Sequence, residues 1–593
     1  MKNASKRRLH AALSGALLAL FLIQGLWFIR SNSQTSDEAV HLTAGYSYLA
    51  RHDFRLNPEH PPFIKELSAL PLYSFYRLSF QPDERLWERA EEWRIGRDFL
   101  YRSGADADRI LAAGRMPNLL LGAALAGLAG WWAFRLWGRA ASLLALGLAV
   151  FEPNLIAHAS LVTTDLGAAL FIFLAVYLVW EHANAPSWPR LLGAGASAGL
   201  ALGSKYSTVI LAAILAAITV LLVLTGGSLP GGGPRKKLKG AASRLIWSLP
   251  ALLAVGLVAL AVVLSVYFFQ GLGTWWTGLN RVLTHQEAGH QAFFLGEYST
   301  EGWVSYFPVA FLIKTPIGSL LLVLASLLLF RRRQALTRRA AIFLLAPAAI
   351  LVAAAMQGRI NIGLRHILPV YPFLFVVASR LATLRFRTPW RRAIALGLPL
   401  AATALSSLHV APHQLAYFNE LVGGPGNGYR YLSDSNIDWG QDLKGVKQLM
   451  DRDRLPMIYL SYFGNAPPEA YGIRYQYVPA FGHLERPSGD LVPQGAGREI
   501  LAISVNSLQA VHFEDKNLYR WLYARRPIER IGYSIYVYDL TGDAEAHLRL
   551  AEVYAKAGPR AFAVPELRRV LAIDPANVEA ARLMALLSGQ PQP

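Results

Sequence analysis

Long apolar runs recur along the first 410 residues of the chain. Ala11–Phe28, Leu119–Phe134 and Ala251–Phe269 are clear examples, and each is long enough, or nearly so, to cross the roughly 30 Å of hydrocarbon in a bilayer. Counting every such run predicts eleven membrane-spanning helices. They lie near residues 11–29, 116–134, 140–151, 166–181, 191–204, 206–225, 245–269, 306–330, 340–356, 367–384 and 393–410.

Three longer polar segments lie between or after these runs. Ser31–Arg115 is aromatic and acidic, Gln270–Ser305 is rich in Gly, Trp and His, and His413–Pro593 follows the last predicted span. The start of the third segment mixes helix and strand patterns. These predict a helix over Trp439–Asp451 and strands over Pro456–Phe463, Glu499–Ser504 and Tyr533–Tyr538.

The end of the chain shows apolar residues at helical spacing. Asp543–Leu587 predicts three amphipathic helices with tetratricopeptide-like spacing, and Pro575 marks a corner between two of them. We therefore expect three domains: transmembrane residues 1–410, an outer α/β domain over 411–540, and tetratricopeptide-like helices over 541–593. The predicted fold class is mainly α, a polytopic helical membrane protein with a C-terminal outer α/β domain.

Basic residues are unevenly distributed between the two sides that these spans define. With the N-terminus inside, the inner connections carry 21 Lys and Arg and no carboxylate, which is the positive-inside pattern. These connections are residues 1–10, 135–139, 182–190, 226–244, 331–339 and 385–392. We expect a multi-pass protein of a bacterial-type inner membrane, with a cytoplasmic N-terminus and the C-terminal domain outside.

Composition excludes several classes of protein. Apolar residues make up 53% of the chain and charged residues only 16%, whereas a soluble domain carries roughly a quarter charged residues. The net charge of +19 follows from the membrane topology and requires no nucleic acid as a partner. Because the 593 residues include no cysteine, disulfides and thiolate metal sites are excluded.

Acidic residues at the outer ends of spans are candidates for catalysis. Asp37 and Glu38 follow the first span, where a carboxylate could remove a proton from a hydroxyl as general base. Asp165 lies at the outer edge of a later span. Both aspartates could instead cap helices. His60, in the His-Pro-Pro sequence of the first outer loop, could belong to a site or simply precede a helix.

Cationic residues gather near the same membrane face. Lys205 lies in a tight outer turn, Lys314 lies about two turns inside the eighth span, and Arg359, Arg365 and His366 occupy one outer connection. Unpaired charges at this depth are costly, so an anionic lipid phosphate would be a suitable partner. Snorkelling or an internal salt bridge is the alternative for each one.

Several motifs together resemble the GT-C superfamily of membrane glycosyltransferases, specifically family 39-type enzymes similar to protein O-mannosyltransferases and aminoarabinose transferases. The resemblance covers about residues 35–445. Its pieces are Asp37-Glu38, NPEHPPFIKEL, HASLVTTD, GSKYS, GHQAFFLGEYSTEGWVSYFPVAFLIKTP, GLRHILPVYPFLFV and HQLAYFNELVGGPGNGYRYLSDSNIDWGQDL.

The resemblance implies transfer of one sugar, with inversion, from a polyprenyl-phosphate carrier to a hydroxyl at the outer membrane face. Asp37 would be the base, supported by Glu38, and His60 and Asp165 would line the same cavity. The leaving phosphate would be held by Lys205, Lys314, Arg365 and His366, with Arg359 nearby. A loop closing over donor or acceptor would contribute His290, Glu297 and Trp303.

The resemblance leaves the acceptor open between protein, glycan and lipid, because no β-trefoil pattern of the eukaryotic enzymes is evident. A transporter or flippase of lipid-linked sugars is the alternative function, although we find no internal repeat of the kind that transporters show. The sequence establishes no cofactor: a divalent metal is possible, but no motif implies one. The C-terminal helices could dock a protein partner.

Overall fold

The computed structural model describes residues 2–231, 239–329, 337–482, 491–493 and 497–588. The predicted basic connections at 226–244 and 331–339 therefore lie partly outside the described residues, as does the end of the predicted helical tail. The chain divides into two compact units. The first contains Met1–Arg30, Asp37–His290 and Thr300–Gly424, and the second contains Ser31–Ser36, Gln291–Ser299 and Pro425–Pro593.

The first unit is built from α-helices. They are α1 (Lys2–Ser31), α2 (Glu38–Arg51), α3 (Phe63–Pro71), α4 (Glu84–Glu88), α5 (Glu92–Tyr101), α6 (Ala107–Trp137), α7 (Arg139–Val150), α8 (Pro153–Ala159), α9 (Asp165–Asn184), α10 (Trp188–Ser204), α11 (Ile210–Leu224), α12 (Ala241–Val266), α13 (Gly273–Ala288), α14 (Tyr306–Lys314), α15 (Ile317–Leu328), α16 (Arg338–Ala355), α17 (Val370–Ser379), α18 (Pro389–Arg392) and α19 (Leu398–Val410).

Seven helices in the described part of the chain are long and apolar enough to cross a membrane, or up to nine if each of two bent pairs is one span. The seven are Ala4–Ser31, Ala107–Trp137, Asp165–Asn184, Tyr206–Leu224, Ala241–Val266, Arg338–Ala355 and Pro389–Val410. The bent pairs, α7 with α8 and α14 with α15, match the predicted spans at 140–151 and 306–330. The other two predicted spans correspond to the shorter helices α10 and α17. The mainly α fold class is thus confirmed.

The sharpest bend, 116°, separates α14 from α15. Pro316 lacks the N–H that would continue the helix, so carbonyls of the last turn of α14 need other donors. Asn419 supplies them, because its Nδ2 donates to Leu312 O and Thr315 O and its backbone N–H donates to Ile313 O. The segment that follows the last span therefore fixes the broken helix.

Helices α2 and α3 pack so closely that only glycine fits between them. A Cβ on Gly45 of α2 would lie 2.0 Å from Lys65 O of α3. The Nζ of Lys65 then donates to Tyr48 Oη, Asn57 O and His60 O, each at 2.7 Å. These bonds hold the His-Pro-Pro segment against the helix that begins directly after Asp37.

The second unit contains a five-stranded sheet with the order β4-β3-β5-β7-β6, in which β3 pairs in parallel with β4 and β5. Its strands and helices are β1 (Ala292–Phe294), β2 (Glu297–Ser299), β3 (Ile458–Ser461), β4 (Tyr475–Tyr477), β5 (Ile500–Ser504), β6 (Glu529–Ile531), β7 (Ile535–Asp539), α20 (Leu443–Arg452), α21 (Val505–Leu508), α22 (Ala544–Ala557), α23 (Ala563–Ile573) and α24 (Val578–Ser588). The three longer strands of the sheet and the three terminal helices lie where the sequence predicted them. The tetratricopeptide-like character of the three terminal helices stays a prediction.

A buried charged cluster joins α22 and α23 to the sheet. His547 bonds to Glu566 Oε2 at 2.7 Å and to Glu499 Oε2 at 3.0 Å, and Arg569 pairs with both carboxylates. Burial opposes protonation of the ring, but the bonds to Glu499 and Glu566 raise the pKa of His547 to about 9. The imidazolium is thus the stable form at neutral pH and compensates the buried carboxylates.

Candidate functional site

Two carboxylates and two cations from four separate segments of the first unit lie close together, and Asp165, Lys205 and Arg365 among them line one cavity. Asp165 begins α9, where the positive end of the helix dipole favours its carboxylate. Lys205, at the end of α10, forms an ion pair with Asp165 Oδ1. Arg365 lies in the short turn before α17, and its Nη1 is 3.8 Å from Asp165 Oδ2 and 3.5 Å from Asp37 Oδ2.

Asp37 occupies the N-cap position of α2, yet its side chain makes no capping hydrogen bond. The carboxylate is a quarter exposed, whereas that of Asp165 is 2% exposed. Asp165 is already compensated by Lys205, so Asp37 is the carboxylate with more access to an incoming hydroxyl. Helix capping therefore does not account for Asp37 in this structure.

Glu38 points away from solvent into a bidentate ion pair. Arg115 donates to its two oxygens at 2.8 and 2.6 Å, and the backbone N–H of Val162 donates to Oε1 at 2.9 Å. Both side chains of the pair are at most 1% exposed. Glu38 thus ties the start of α2 to α6 and to the segment before α9, and so fixes the backbone beside Asp37.

Glu38→Gln is expected to lower the free energy of unfolding by about 3–5 kcal/mol, because Arg115 would remain buried without its counter-charge. Thermal melting of the purified protein measures the effect. Glu88→Gln, at an exposed position of the same outer segment, is the control and should melt like wild type. An unchanged melting temperature for Glu38→Gln would show that the ion pair does not hold α2 in place.

Two histidines from the segment between α1 and α6 lie edge to face, with ring centroids 5.1 Å apart. His41 Nδ1 bonds to Val162 O at 2.8 Å. Burial, with His41, Lys65 and Lys205 nearby, holds the pKa of His60 well below its usual range. The ring of His60 is thus neutral at pH 7, and its Nδ1 has no hydrogen-bond partner among the described residues. It can therefore bond to a hydroxyl.

The cavity beside Asp165 has a volume of about 210 Å³ and two kinds of wall. Its polar wall includes Lys205, Arg365, His366 and Gln286. The His366 ring stacks on Phe307, with centroids 5.9 Å apart. The remaining wall is apolar and includes Ala168, Ile172, Ile210, Leu351, Ala354 and Ile360. An anionic group with an attached apolar chain matches both walls.

Sequence reasoning did not single out His41 or Gln286 as members of this site. His41 lies one helical turn after Asp37, and that spacing was an available signal. Gln286 comes from α13, far from the other lining residues in the chain, and carries no local pattern that would mark it.

Other predicted site residues do not line this cavity. The Nζ of Lys314 donates to Leu415 O at 3.1 Å and Tyr417 O at 2.9 Å. Arg359 is exposed and donates to Glu287 O at 2.9 Å. The backbone N–H of His290 donates to Thr300 O, and that of Trp303 to Asn361 Oδ1. Their proposed roles stay predictions.

Glu297 begins β2 of the second unit and is exposed. Its predicted part in a closing loop stays a prediction. Among the residues that the structure describes, no group of three or more His, Asp or Glu side chains is arranged to hold a metal ion.

Comparison with solved structures finds alignments over much of this chain at low sequence identity. ArnT from Cupriavidus metallidurans in the apo state aligns over 91% of this chain and 98% of its own, with 14% identity and a TM-score of 0.49. Its undecaprenyl phosphate-bound form aligns over 88% and 97%, with 12% identity and a TM-score of 0.48. The apo Archaeoglobus fulgidus oligosaccharyltransferase aligns over 68% and 56%, with 12% identity and a TM-score of 0.44.

No curated protein shows a significant sequence match to this chain. A protein-family model does match, and it covers the first seven predicted spans together with the segment that contains Asp37, His60 and Lys65. The resemblance inferred from the motifs is thereby confirmed over residues 14–271, where the chain matches the family described as dolichyl-phosphate-mannose-protein mannosyltransferase.

Proposed function

We propose that the protein is an inverting glycosyltransferase that moves one sugar, a mannose-like hexose or a related sugar, from a polyprenyl-phosphate carrier to a hydroxyl acceptor. The observation that carries the proposal is the 3.5 Å approach of Arg365 to Asp37 beside the cavity. A candidate base and a candidate phosphate-binding cation are thus adjacent, as transfer from a lipid phosphate requires. The family match of residues 14–271 supports the same class of donor.

In the proposed reaction the acceptor oxygen attacks the anomeric carbon of the sugar. Asp37 takes the hydroxyl proton while the bond from that carbon to the phosphate oxygen breaks. The electron pair of the broken bond leaves with the phosphate, so polyprenyl phosphate gains a second negative charge. Lys205 and Arg365 stabilise that developing charge from the cavity wall.

In this scheme Asp165 holds the two cations in place. It lies beside both Lys205 and Arg365 at the start of α9 and sets their position before the donor arrives. His60, kept neutral by burial, would bond to a hydroxyl of the sugar or the acceptor. The apolar wall formed by α9, α11 and α16 would take the first part of the prenyl chain.

The proposal places this chemistry on the outer face of an inner membrane, with the N-terminus in the cytoplasm and the second unit outside. A reporter that is active only outside the cytoplasm should function when fused after Pro593, and its inactivity there would reverse the proposed orientation. The acceptor class stays open between protein, glycan and lipid.

Release of sugar from a polyprenyl-phosphate donor tests the proposed function. Purified protein in proteoliposomes is given radiolabelled polyprenyl-phosphate mannose together with a membrane extract as the source of acceptor. We expect label to leave the carrier lipid only when protein and extract are both present. If the protein is folded and every member of a panel of polyprenyl-phosphate sugars stays intact, the proposal is contradicted.

A further inference from the structure

A second concavity of the first unit lies apart from the cavity at Asp165, and no residue lines both. It is a groove of about 900 Å³ between the start of α7, the segment after α17, and α18 with the start of α19. Its wall is mostly apolar and includes Leu143, Leu144, Phe386, Leu396 and Leu400. We refer to it as the α7–α19 groove.

Four arginines lie within eight residues of the sequence, at positions 385, 387, 391 and 392, and two of them, Arg385 and Arg392, line this groove. The Nη2 of Arg392 donates to Ala382 O at 2.7 Å, which holds its guanidinium against the wall. The lining contains no acidic residue. In the described part of the chain, none of the four arginines forms an ion pair. The cluster therefore lacks an anion from the protein itself.

Aromatic and apolar side chains beside the arginines match a membrane–water boundary. Trp390 is 58% exposed, and the guanidinium of Arg391 lies 5.4 Å from its ring centre. Ile394 and Leu398, on the following turns, are 54% and 66% exposed. This is the usual arrangement at a membrane–water interface, where Trp lies at the level of the lipid headgroups, apolar residues lie deeper and arginines lie at the mouth.

We propose that the α7–α19 groove binds one anionic phospholipid of the bilayer. Its phosphate would contact Arg385 and Arg392, and an acyl chain would lie along Leu143, Leu396 and Leu400. Charge complementarity selects this occupant, because a zwitterionic lipid would leave the arginine cluster uncompensated. The proposal does not depend on the proposed glycosyl transfer, since the groove shares no residue with that site.

The groove offers two independent ways to disturb binding. Arg385→Gln with Arg392→Gln removes both charges at the mouth. Gly397→Leu instead fills the groove, because a Cβ at Gly397 meets nothing within 4 Å and the backbone there is helical, with φ −73°. Arg89→Gln, at an exposed position of an outer loop, is a matched loss of charge elsewhere.

Native mass spectrometry of the full-length protein, titrated with phosphatidylglycerol or phosphatidylcholine, measures the binding. We expect the wild-type protein and Arg89→Gln to retain phosphatidylglycerol in preference to phosphatidylcholine. The double arginine variant should bind phosphatidylglycerol about 30-fold more weakly. Gly397→Leu should also lose the bound lipid while melting at the wild-type temperature.

Three results would overturn the proposal. Equal retention of the two phospholipids would show that the groove does not recognise charge. Undiminished binding by both the arginine and the glycine variants would place the lipid elsewhere. Displacement of phosphatidylglycerol by an equimolar amount of polyprenyl phosphate would assign the groove to the carrier lipid. Should the double variant melt early, Arg385→Gln alone decides, because among the described residues the Arg385 side chain forms no hydrogen bond or ion pair.

Discussion

Asp37→Asn is expected to lower the turnover of sugar transfer by about 10²–10⁴-fold, the usual contribution of a general base. The amide has nearly the same size as the carboxylate but cannot take the proton of the acceptor hydroxyl. Because Asp37 makes no capping bond, the substitution should leave α2 and the binding of the donor largely intact. Initial rates with a labelled donor, together with donor binding and thermal melting, measure the three effects.

Asp53→Asn provides the matched control for this result. Asp53 is another acid of the segment between α1 and α6, but its carboxylate pairs with Arg55, whereas that of Asp37 lies beside Arg365. Turnover of this variant should stay near that of wild type. If Asp37→Asn also turns over normally, Asp37 is not the base, and Asp165 becomes the next candidate for that role.

The second large effect is expected at Arg365. Arg365→Ala should lower kcat/KM for the lipid donor by an amount equivalent to about 2–4 kcal/mol of transition-state stabilisation, by analogy with other preorganised charge-stabilising donors. The donor phosphate carries one negative charge before transfer and two afterwards, so a cation at the cavity wall binds the transition state more tightly than the ground state. A lowered kcat at saturating donor would reflect that difference.

Arg365→Lys separates the charge of the side chain from its shape. Lysine restores the charge but not the planar fork that can face Asp37, Asp165 and a phosphate together, so we expect only partial rescue. Arg89→Ala, at an exposed position that has no proposed part in the site, is the control and should be nearly neutral. Normal kcat/KM in folded Arg365→Ala would place the phosphate elsewhere.

The long apolar helices of the first unit could be predicted from the sequence because their lipid-facing and core-facing positions are both apolar. The shortest strands of the second unit could not. Tyr475–Tyr477 and Glu529–Ile531 have three residues each, too few for an alternating pattern to be distinguished from a loop. They form strands because the neighbouring strands of the sheet supply their hydrogen bonds.

At the candidate site, depth along the spans was enough to group Asp37, Asp165, Lys205 and Arg365, because all four lie at one predicted membrane face. The same rule also included Lys314, whose ammonium instead binds carbonyls of Leu415 and Tyr417. The depth of a residue along a span does not show which way its side chain points around the helix axis. For Lys314 that direction is set by the segment after the last span, whose carbonyls bind the ammonium.

In the proposed reaction a sugar leaves its polyprenyl phosphate at the cavity lined by Arg365, beside Asp37. A donor labelled separately in the sugar and in the phosphate tests it most directly in sealed proteoliposomes. We expect wild-type protein to move the sugar label to the acceptor and to leave an equal amount of labelled phosphate on the polyprenyl lipid, whereas Asp37→Asn should not separate the two labels. Labels that stay on one molecule while it crosses the bilayer would contradict the proposed transfer and show that the protein is a transporter.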